Sequence, residues 1–159
     1  MDKATIISAW RRELQARLET LQTSQDAARS GTRVDGEHRP SNRGERAAVT
    51  SQGYLAHAFG ERSVALQNSL EHLEDMGTET RDEVVIGALI SVVMEGGQPQ
   101  SIILLPGGDA TKLDCAGEQV TVLSAHSPLA RQLRDAEVDD ILEVDLGGRV
   151  CELSLISIA

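Results

Sequence analysis

Residues 4–28 contain neither glycine nor proline, and an apolar side chain recurs along them every seven positions. The repeating residues are Ile7, Leu14, Leu21 and Ala28, and Trp10 and Leu18 widen the stripe. This period predicts an amphipathic α-helix with its apolar residues along one side. A stripe this narrow is not buried by a helix alone, so the chain needs a second helix beside the first.

A second stretch, residues 45–74, supplies that helix. Its apolar residues are spaced by three, four and seven positions, and they are Leu55, Phe59, Leu66, Leu70 and Leu73. It contains Gly53 and Gly60, each of which costs a helix interior roughly 1 kcal/mol relative to alanine. The connector before it is polar, with glycines and a proline, so the chain must turn there. We predict an antiparallel helical hairpin, a coiled-coil arm about 35–40 Å long with a polar tip at residues 30–44.

Beyond residue 83 the apolar residues form short runs that predict strands. The runs are 84–94, 101–106, 119–124, 140–146 and 149–158. Within the fourth run apolar and acidic residues alternate, which is typical of a half-buried strand, and Gly147-Gly148 then predicts a tight hairpin turn. Ser127 and Pro128 have the residue types of a helix N-cap and a first helical position. One short helix on a twisted antiparallel sheet is therefore expected.

These patterns define an α+β chain in three parts. A helical-hairpin arm covers residues 1–76, a linker covers 77–83 and a β domain covers 84–159. The three aromatic residues are Trp10, Tyr54 and Phe59. Because all three precede the β domain, its core must be aliphatic. Cys115 and Cys151 lack metal-ligand spacing and are predicted to be reduced, with Cys151 a small core residue.

The net charge of −10 is concentrated in the β domain. Residues 1–82 carry 11 Lys and Arg against 13 Asp and Glu, a balance of −2, whereas residues 83–159 carry 4 against 12, a balance of −8. Nucleic-acid binders usually have a basic surface, so no direct sequence-specific binding of nucleic acid is expected. No apolar stretch approaches the roughly 20 residues that span a bilayer. The start of the chain lacks the layout of a secretory signal, so we expect no membrane partner and a cytoplasmic location.

Three segments of the β domain resemble, in order, the bacterial Gre transcript-cleavage factors. The run VVIGALISVV is similar to that family's first strand, V-x-x-G-A-x-V-x-V. The segment AHSPLARQL is similar to its S-P-(apolar)-(A/G)-(R/K)-(A/G)-L turn and helix. The closing EVDLGGRVCELSLISI is similar to its strand, Gly-Gly turn and final strand. The order and spacing of the segments, behind a helical pair, make the resemblance more specific than any one of them.

The resemblance implies an FKBP-like β domain that docks on RNA polymerase near the entrance of the secondary channel, with the helical arm inside the channel. In this family the loop that contains the Ser-Pro turn helps to hold the polymerase. The positions that match this loop are Ser124, His126, Ser127, Pro128 and Leu129. The Ser-Pro pair also serves as a plain helix start, and the two roles do not exclude each other.

The tip of the arm departs from the family pattern. Cleaving members carry a D-x-x-E motif there, because two carboxylates can hold a second Mg²⁺ beside the polymerase's own metal. Aligning RPSNRGE with that motif puts Arg39 at the Asp position and Asn42 at the Glu position, while Glu45 falls on a later family glutamate. Asp35 and Glu37 offer another pair, but with a different spacing. The arginines that we expect to contact the partner are Arg33, Arg39, Arg43 and Arg46. This density of positive charge opposes a divalent cation, so no metal site is predicted.

The preferred function is a monomeric, polymerase-binding regulator of transcription that is not itself an enzyme and carries no cofactor. The alternative is an active transcript-cleavage factor, which would use Asp35, Glu37 or Glu45 with Mg²⁺ at the polymerase active centre. A remote alternative is an FKBP-like prolyl isomerase, although residues 83–159 contain no Phe, Tyr or Trp for the aromatic pocket of such enzymes. A dimeric coiled-coil module is a fourth.

Overall fold

The computed structural model describes residues 2–32 and 43–159. Its helices are α1 (Lys3–Thr32), α2 (Arg43–Glu74) and α3 (Pro128–Gln132). Its strands are β1 (Leu89–Met94), β2 (Gln100–Leu104), β3 (Asp109–Cys115), β4 (Glu118–Leu123), β5 (Ile141–Asp145) and β6 (Val150–Ile158). Two long helices followed by a sheet with one short helix confirm the predicted α+β class.

The contacts divide the chain into two compact units. One unit comprises Glu13–Asn68, the middle of the helical pair. The other comprises residues 2–12 together with Ser69–Ala159, so it contains the start of α1, the end of α2 and the whole sheet. The boundaries of the helical arm and the β domain predicted from the sequence, at residues 76 and 84, mark the change from helices to strands. They stay a prediction.

The two long helices run antiparallel. Near the start of α1, Arg11 Nη2 donates a hydrogen bond to the Leu73 carbonyl, near the end of α2, at 3.4 Å. Further along α1, Gln25 Nε2 donates to the Ala56 carbonyl, further back on α2, at 3.2 Å. Positions therefore rise on one helix as they fall on the other, which confirms the predicted hairpin.

Both small and large residues are buried within Glu13–Asn68, at the seam between the helices. Ala28 and Ala56 are buried, and Leu14 is completely buried. A Cβ atom on Gly60 would lie 2.7 Å from Gln25 Nε2, so the glycine leaves room for the Gln25 side chain, which reaches across from α1 to the Ala56 carbonyl.

The apolar stripe of α1 is buried as its seven-residue period predicts, with Leu14 and Ala28 inside and Leu21 half-buried. On α2 the prediction is wrong at Leu55, which is 46% exposed. The neighbouring Ala56 is buried instead, because it lies seven positions before the buried Ser63 on the same side of the helix, and Leu55 lies one position off that row.

Trp10 anchors the start of α1 within the unit that contains the sheet. Its side chain is completely buried, and its indole Nε1 donates a hydrogen bond to the Pro106 carbonyl at 2.9 Å. A buried indole N–H needs such a partner, because an unpaired one costs about 1–3 kcal/mol. Ile6 and Leu73 are also completely buried in this unit, so both helix ends contribute to its interior.

The sheet has the strand order β3-β4-β2-β1-β6-β5. Four strand pairs are antiparallel and β2 pairs with β4 in parallel, so the sheet is mostly antiparallel, as predicted. A core cluster covers one face of the sheet, and its large side chains are all aliphatic, as expected. The cluster contains Val84, Ala88, Ile90, Val92, Ile102, Leu104, Leu123, Ala130, Leu133, Ala136, Val144, Leu153 and Leu155.

Two local features of the sheet differ from the sequence-based prediction. Strand β3 was not predicted, because it has few apolar residues. Of the alternating residues Thr111, Leu113 and Cys115, only Leu113 has a long apolar side chain. Residues 84–88, expected to begin the first strand, form a turn in which Gly87 has a φ of +89°. Val84 and Ala88 are buried there, so this apolar run reflects burial rather than a strand.

The predicted hairpin turn between β5 and β6 is confirmed. Gly147 and Gly148 have φ values of +69° and +87°, a region that only glycine enters at little cost. Leu146 N donates to the Arg149 carbonyl at 2.9 Å and closes the two-residue turn.

Both cysteine thiols are free. Cys115 is buried, and Cys151 is half-buried against the core cluster, as expected of a small core residue. Burial raises the pKa of the Cys115 thiol, Asp114 raises it further, and Arg12 opposes both. Cys115 is therefore kept in the unreactive, protonated form at neutral pH.

The two glycines of α2 should respond differently to alanine. Nothing lies within 4 Å of a Cβ atom at Gly53, so Gly53→Ala should raise the free energy of unfolding by about 1 kcal/mol. At Gly60 the new methyl group displaces the Gln25 amide, which then loses its hydrogen bond to the Ala56 carbonyl. This loss lowers the free energy of unfolding by about 1 kcal/mol and cancels the gain. Urea unfolding of both variants measures this difference, and equal gains would contradict the loss of the Gln25 hydrogen bond in Gly60→Ala.

Lys3 should make stability depend on alkaline pH. The residue is 8% exposed, and its Nζ donates to the Glu79 carbonyl at 2.6 Å. Burial lowers the pKa of Lys3 below its ordinary value of 10.5, and the charge of Arg81 lowers it further.

Between the lowered pKa and the ordinary value of 10.5, the unfolded chain binds more protons at Lys3 than the folded chain does. The free energy of unfolding should therefore rise with pH in that window through this group. Urea unfolding at neutral pH and just below pH 10.5 measures this rise in the free energy of unfolding. The rise should be lost in Lys3→Met and kept in the exposed-site control Lys112→Met. An unchanged pH dependence in Lys3→Met would contradict the assignment.

Candidate functional site

A network of hydrogen bonds shapes the loop from Ser124 to Leu129. Ser124 Oγ accepts from His126 N at 3.1 Å, and the Ser124 carbonyl accepts from Ser127 N at 2.9 Å. Ser127 Oγ then accepts from Ala130 N at 3.2 Å, with Pro128 in the first turn of α3. This confirms the predicted N-cap, which is worth about 1 kcal/mol to a helix. These bonds hold the loop in the turn that leads into α3.

Beside this loop lies a mainly apolar cavity of about 580 Å³. Pro128 and Leu129 line it from α3, and Leu146 and Gly147 line it from the β5–β6 turn. The sheet contributes apolar side chains, which are Met94, Ile102 and Leu123. A concave apolar surface of this size is the usual form of a binding site for a ligand or an inserted side chain.

Polar residues also line the cavity, and the sign of the surrounding charge is negative. Asp109 and Asp145 line it together with Lys112, Gln100 and Thr121. The balance of −8 over residues 83–159 means that a docked partner meets a negative field. This arrangement favours an apolar group flanked by lysine or arginine.

Gly108 brings the β2–β3 connection against the end of β4. A Cβ atom there would lie 2.2 Å from the Leu123 carbonyl carbon and 2.5 Å from Ser124 N. These are backbone atoms and cannot turn aside, so only glycine fits. Gly108 lines the cavity and also touches the residue at which the Ser124–Leu129 loop begins.

The structure distributes the predicted polymerase-binding residues unequally around the cavity. Ser127, Pro128 and Leu129 line it. Ser124 and His126 lie in the same loop but are not among the lining residues of the cavity; Ser124 is half-buried and His126 is exposed.

Of the residues predicted at the arm tip, three belong to the part that the structure describes. Arg43, Glu45 and Arg46 lie in the first turns of α2, and all three are exposed. Glu45 is well placed there, because the N-terminus of a helix favours a negative charge. Arg33, Asp35, Glu37 and Arg39 lie outside the described residues.

No group of three or more His, Cys, Asp and Glu residues is arranged to hold a metal ion within residues 2–32 and 43–159. Over the same ranges, no helix is both long and apolar enough to cross a membrane.

Several residues of the site were not found from the sequence. Met94, Ile102 and Leu123 carry the ordinary strand pattern, and nothing distinguishes a cavity wall from a core position. Gln132 and Asp145, described below, bond to each other across 13 positions. The one available signal was at Gln132, which stands where the motif quoted above has a small residue.

Comparison with known proteins gave solved structures only; no protein-family model matches the chain, and no curated protein is significantly similar to it. Three of the similar structures carry the name Gfh1, which one of them gives in full as GreA factor homolog 1. Gfh1 of Thermus thermophilus is 15% identical to this chain, with 94% of each chain covered and a TM-score of 0.38. Gfh1 of Thermus aquaticus is 17% identical, with 95% of this chain and 94% of the other covered and a TM-score of 0.39. A further structure, described as the transcription factor Gfh1, is 18% identical, with 94% of this chain and 93% of the other covered and a TM-score of 0.39. At such identities and TM-scores the likeness carries no argument about function.

Gly108→Ala should destabilise the unit that contains the sheet. The overpacking against the Leu123 and Ser124 backbone should lower the free energy of unfolding by about 1–3 kcal/mol. Gly77→Ala is the control, because its Cβ would meet only the Glu79 side chain at 3.7–3.8 Å. Urea unfolding compares the two, and a Gly108→Ala variant as stable as the control would contradict the close approach.

Proposed function

We propose that the chain is an RNA polymerase-binding regulator of transcription of the Gre type. The observation that carries this proposal is the position of Ser127, Pro128 and Leu129. The resemblance to the Gre factors implies a polymerase-binding role for them, and they line an apolar cavity beside the hydrogen-bonded Ser124–Leu129 loop. The proposed docking surface is this cavity together with the Ser124–Leu129 loop.

The charge of the β domain supports a protein partner rather than a nucleic acid. The balance of −8 over residues 83–159 repels phosphates and attracts lysine and arginine side chains. We expect the polymerase to insert an apolar side chain into the cavity, with basic residues around it. Electrostatic attraction of this kind mainly accelerates association and weakens as salt is added.

The helical arm is proposed to enter the secondary channel and to act by occupying it. Arg43 and Arg46 are exposed at the start of α2, and the connector sequence has no D-x-x-E pair. The regulator therefore makes contacts in the channel without supplying carboxylates for a second Mg²⁺. It is not an enzyme in itself, needs no cofactor, acts as a monomer and works in the cytoplasm, where its partner is.

Binding to purified bacterial RNA polymerase tests the proposal. Replacing the exposed Pro128 by alanine removes about two methylene groups from the docking surface, which should weaken binding by roughly tenfold. Pro99→Ala is the matched control, an exposed proline of the same domain that does not line the cavity. Titration of labelled protein with polymerase gives both affinities. A wild-type chain that does not bind would overturn the proposal.

Transcript cleavage in backtracked elongation complexes separates this function from its alternative. The regulator should leave the rate of RNA cleavage by the polymerase unchanged or lower it. Stimulation that is abolished by Asp35→Ala, Glu37→Ala or Glu45→Ala would instead identify a cleavage factor that uses those acids. Arg46→Ala is the control, because it alters the same part of the arm without removing a carboxylate.

A further inference from the structure

Gln132 occupies a position where the family motif S-P-(apolar)-(A/G)-(R/K)-(A/G)-L has alanine or glycine. A long polar side chain at this point needs a reason that the motif does not give. The residue ends the short helix α3, whose first residues Pro128 and Leu129 line the cavity.

The carboxamide of Gln132 makes three hydrogen bonds with backbone groups. Its Nε2 donates to the carbonyls of Pro128 and Asp145, each at 3.2 Å. Its Oε1 accepts from Asp145 N at 2.8 Å. The amide side chain thus bonds both backbone groups of Asp145, as the backbone of a neighbouring strand would.

Strand β5 is at one edge of the sheet, with β6 as its neighbour on the other side. In the β5–β6 hairpin the hydrogen-bonded pair next to the turn is Leu146 and Arg149, so the backbone groups of Asp145 point away from β6. Gln132 occupies this place, which on an edge strand is otherwise open to water or to another chain.

Asp145 continues the connection into the hairpin turn. Its Oδ1 accepts from Gly148 N at 2.6 Å. A continuous path of hydrogen bonds therefore runs from Pro128 through Gln132 and Asp145 to the turn that contains Gly147. Both ends of this path line the cavity.

We propose that Gln132 is a positioning residue, which sets the width of the cavity by tying the start of α3 to the β5–β6 turn. A small residue at this place makes none of these bonds. The positions of the two cavity walls relative to each other are then set only by packing. That this width controls partner binding rests on the function proposed above.

The test uses the full chain with three substitutions. Gln132→Ala removes all three hydrogen bonds and restores the small residue of the motif. Gln132→Glu keeps an acceptor for Asp145 N but has no donor for the Pro128 and Asp145 carbonyls. Gln119→Ala is the matched control, an exposed glutamine of β4 that does not line the cavity.

Amide hydrogen exchange and NMR chemical shifts test the structural part without the polymerase. In Gln132→Ala the Asp145 amide should exchange about tenfold faster, because it loses its acceptor, whereas Gln132→Glu should keep its protection. Signals of Leu129, Leu146 and Gly147 should move in Gln132→Ala and not in Gln119→Ala. Unchanged exchange at Asp145, or unchanged signals on both walls, overturns the positioning role.

Polymerase affinity tests the functional part. Gln132→Ala should bind about threefold to tenfold more weakly than wild type, with Gln119→Ala unaffected and the thermal midpoint of Gln132→Ala within a few degrees of wild type. Equal affinities of wild type and Gln132→Ala overturn the inference. A wild type that does not bind the polymerase overturns the proposed function instead, and the NMR result still decides whether Gln132 sets the cavity.

Discussion

The hydrogen bond from the Trp10 indole to the Pro106 carbonyl is the contact on which the arrangement of the site depends. It fixes the start of α1 to the connection between β2 and β3, inside the unit that contains the sheet. Pro106 leads into Gly108, which touches the backbone of Leu123 and Ser124. Ser124 in turn positions Ser127 through its carbonyl. A series of short backbone contacts thus connects the base of the long helices with the loop that lines the cavity.

Much of the fold follows from patterns with a clear period. The seven-residue stripe of α1, the alternation along β5 and the Gly147-Gly148 turn were predicted from sequence because each depends on neighbouring residues. The errors lie where distant packing decides. Leu55 is exposed because it lies one position off the row of buried residues on α2, and β3 was missed because it pairs with β4 along one side and carries few apolar residues.

The candidate site divides in the same way. The start of α3 was predicted, since an N-cap serine followed by proline is a local signal. The opposite wall of the cavity was not, because only the folded sheet brings the β5–β6 turn near α3. Gln132 shows the difference most clearly: its departure from the motif is visible in the sequence, but its bonds to Asp145 are visible only in the structure.

We propose that the chain binds RNA polymerase through the cavity beside the Ser124–Leu129 loop. Hydrogen–deuterium exchange of the chain, alone and saturated with purified RNA polymerase, tests this most directly because it locates the contact. We expect slower exchange at residues 124–133 and 145–148 in the complex. Binding that leaves both segments unchanged, while protecting another face of the sheet, would contradict it.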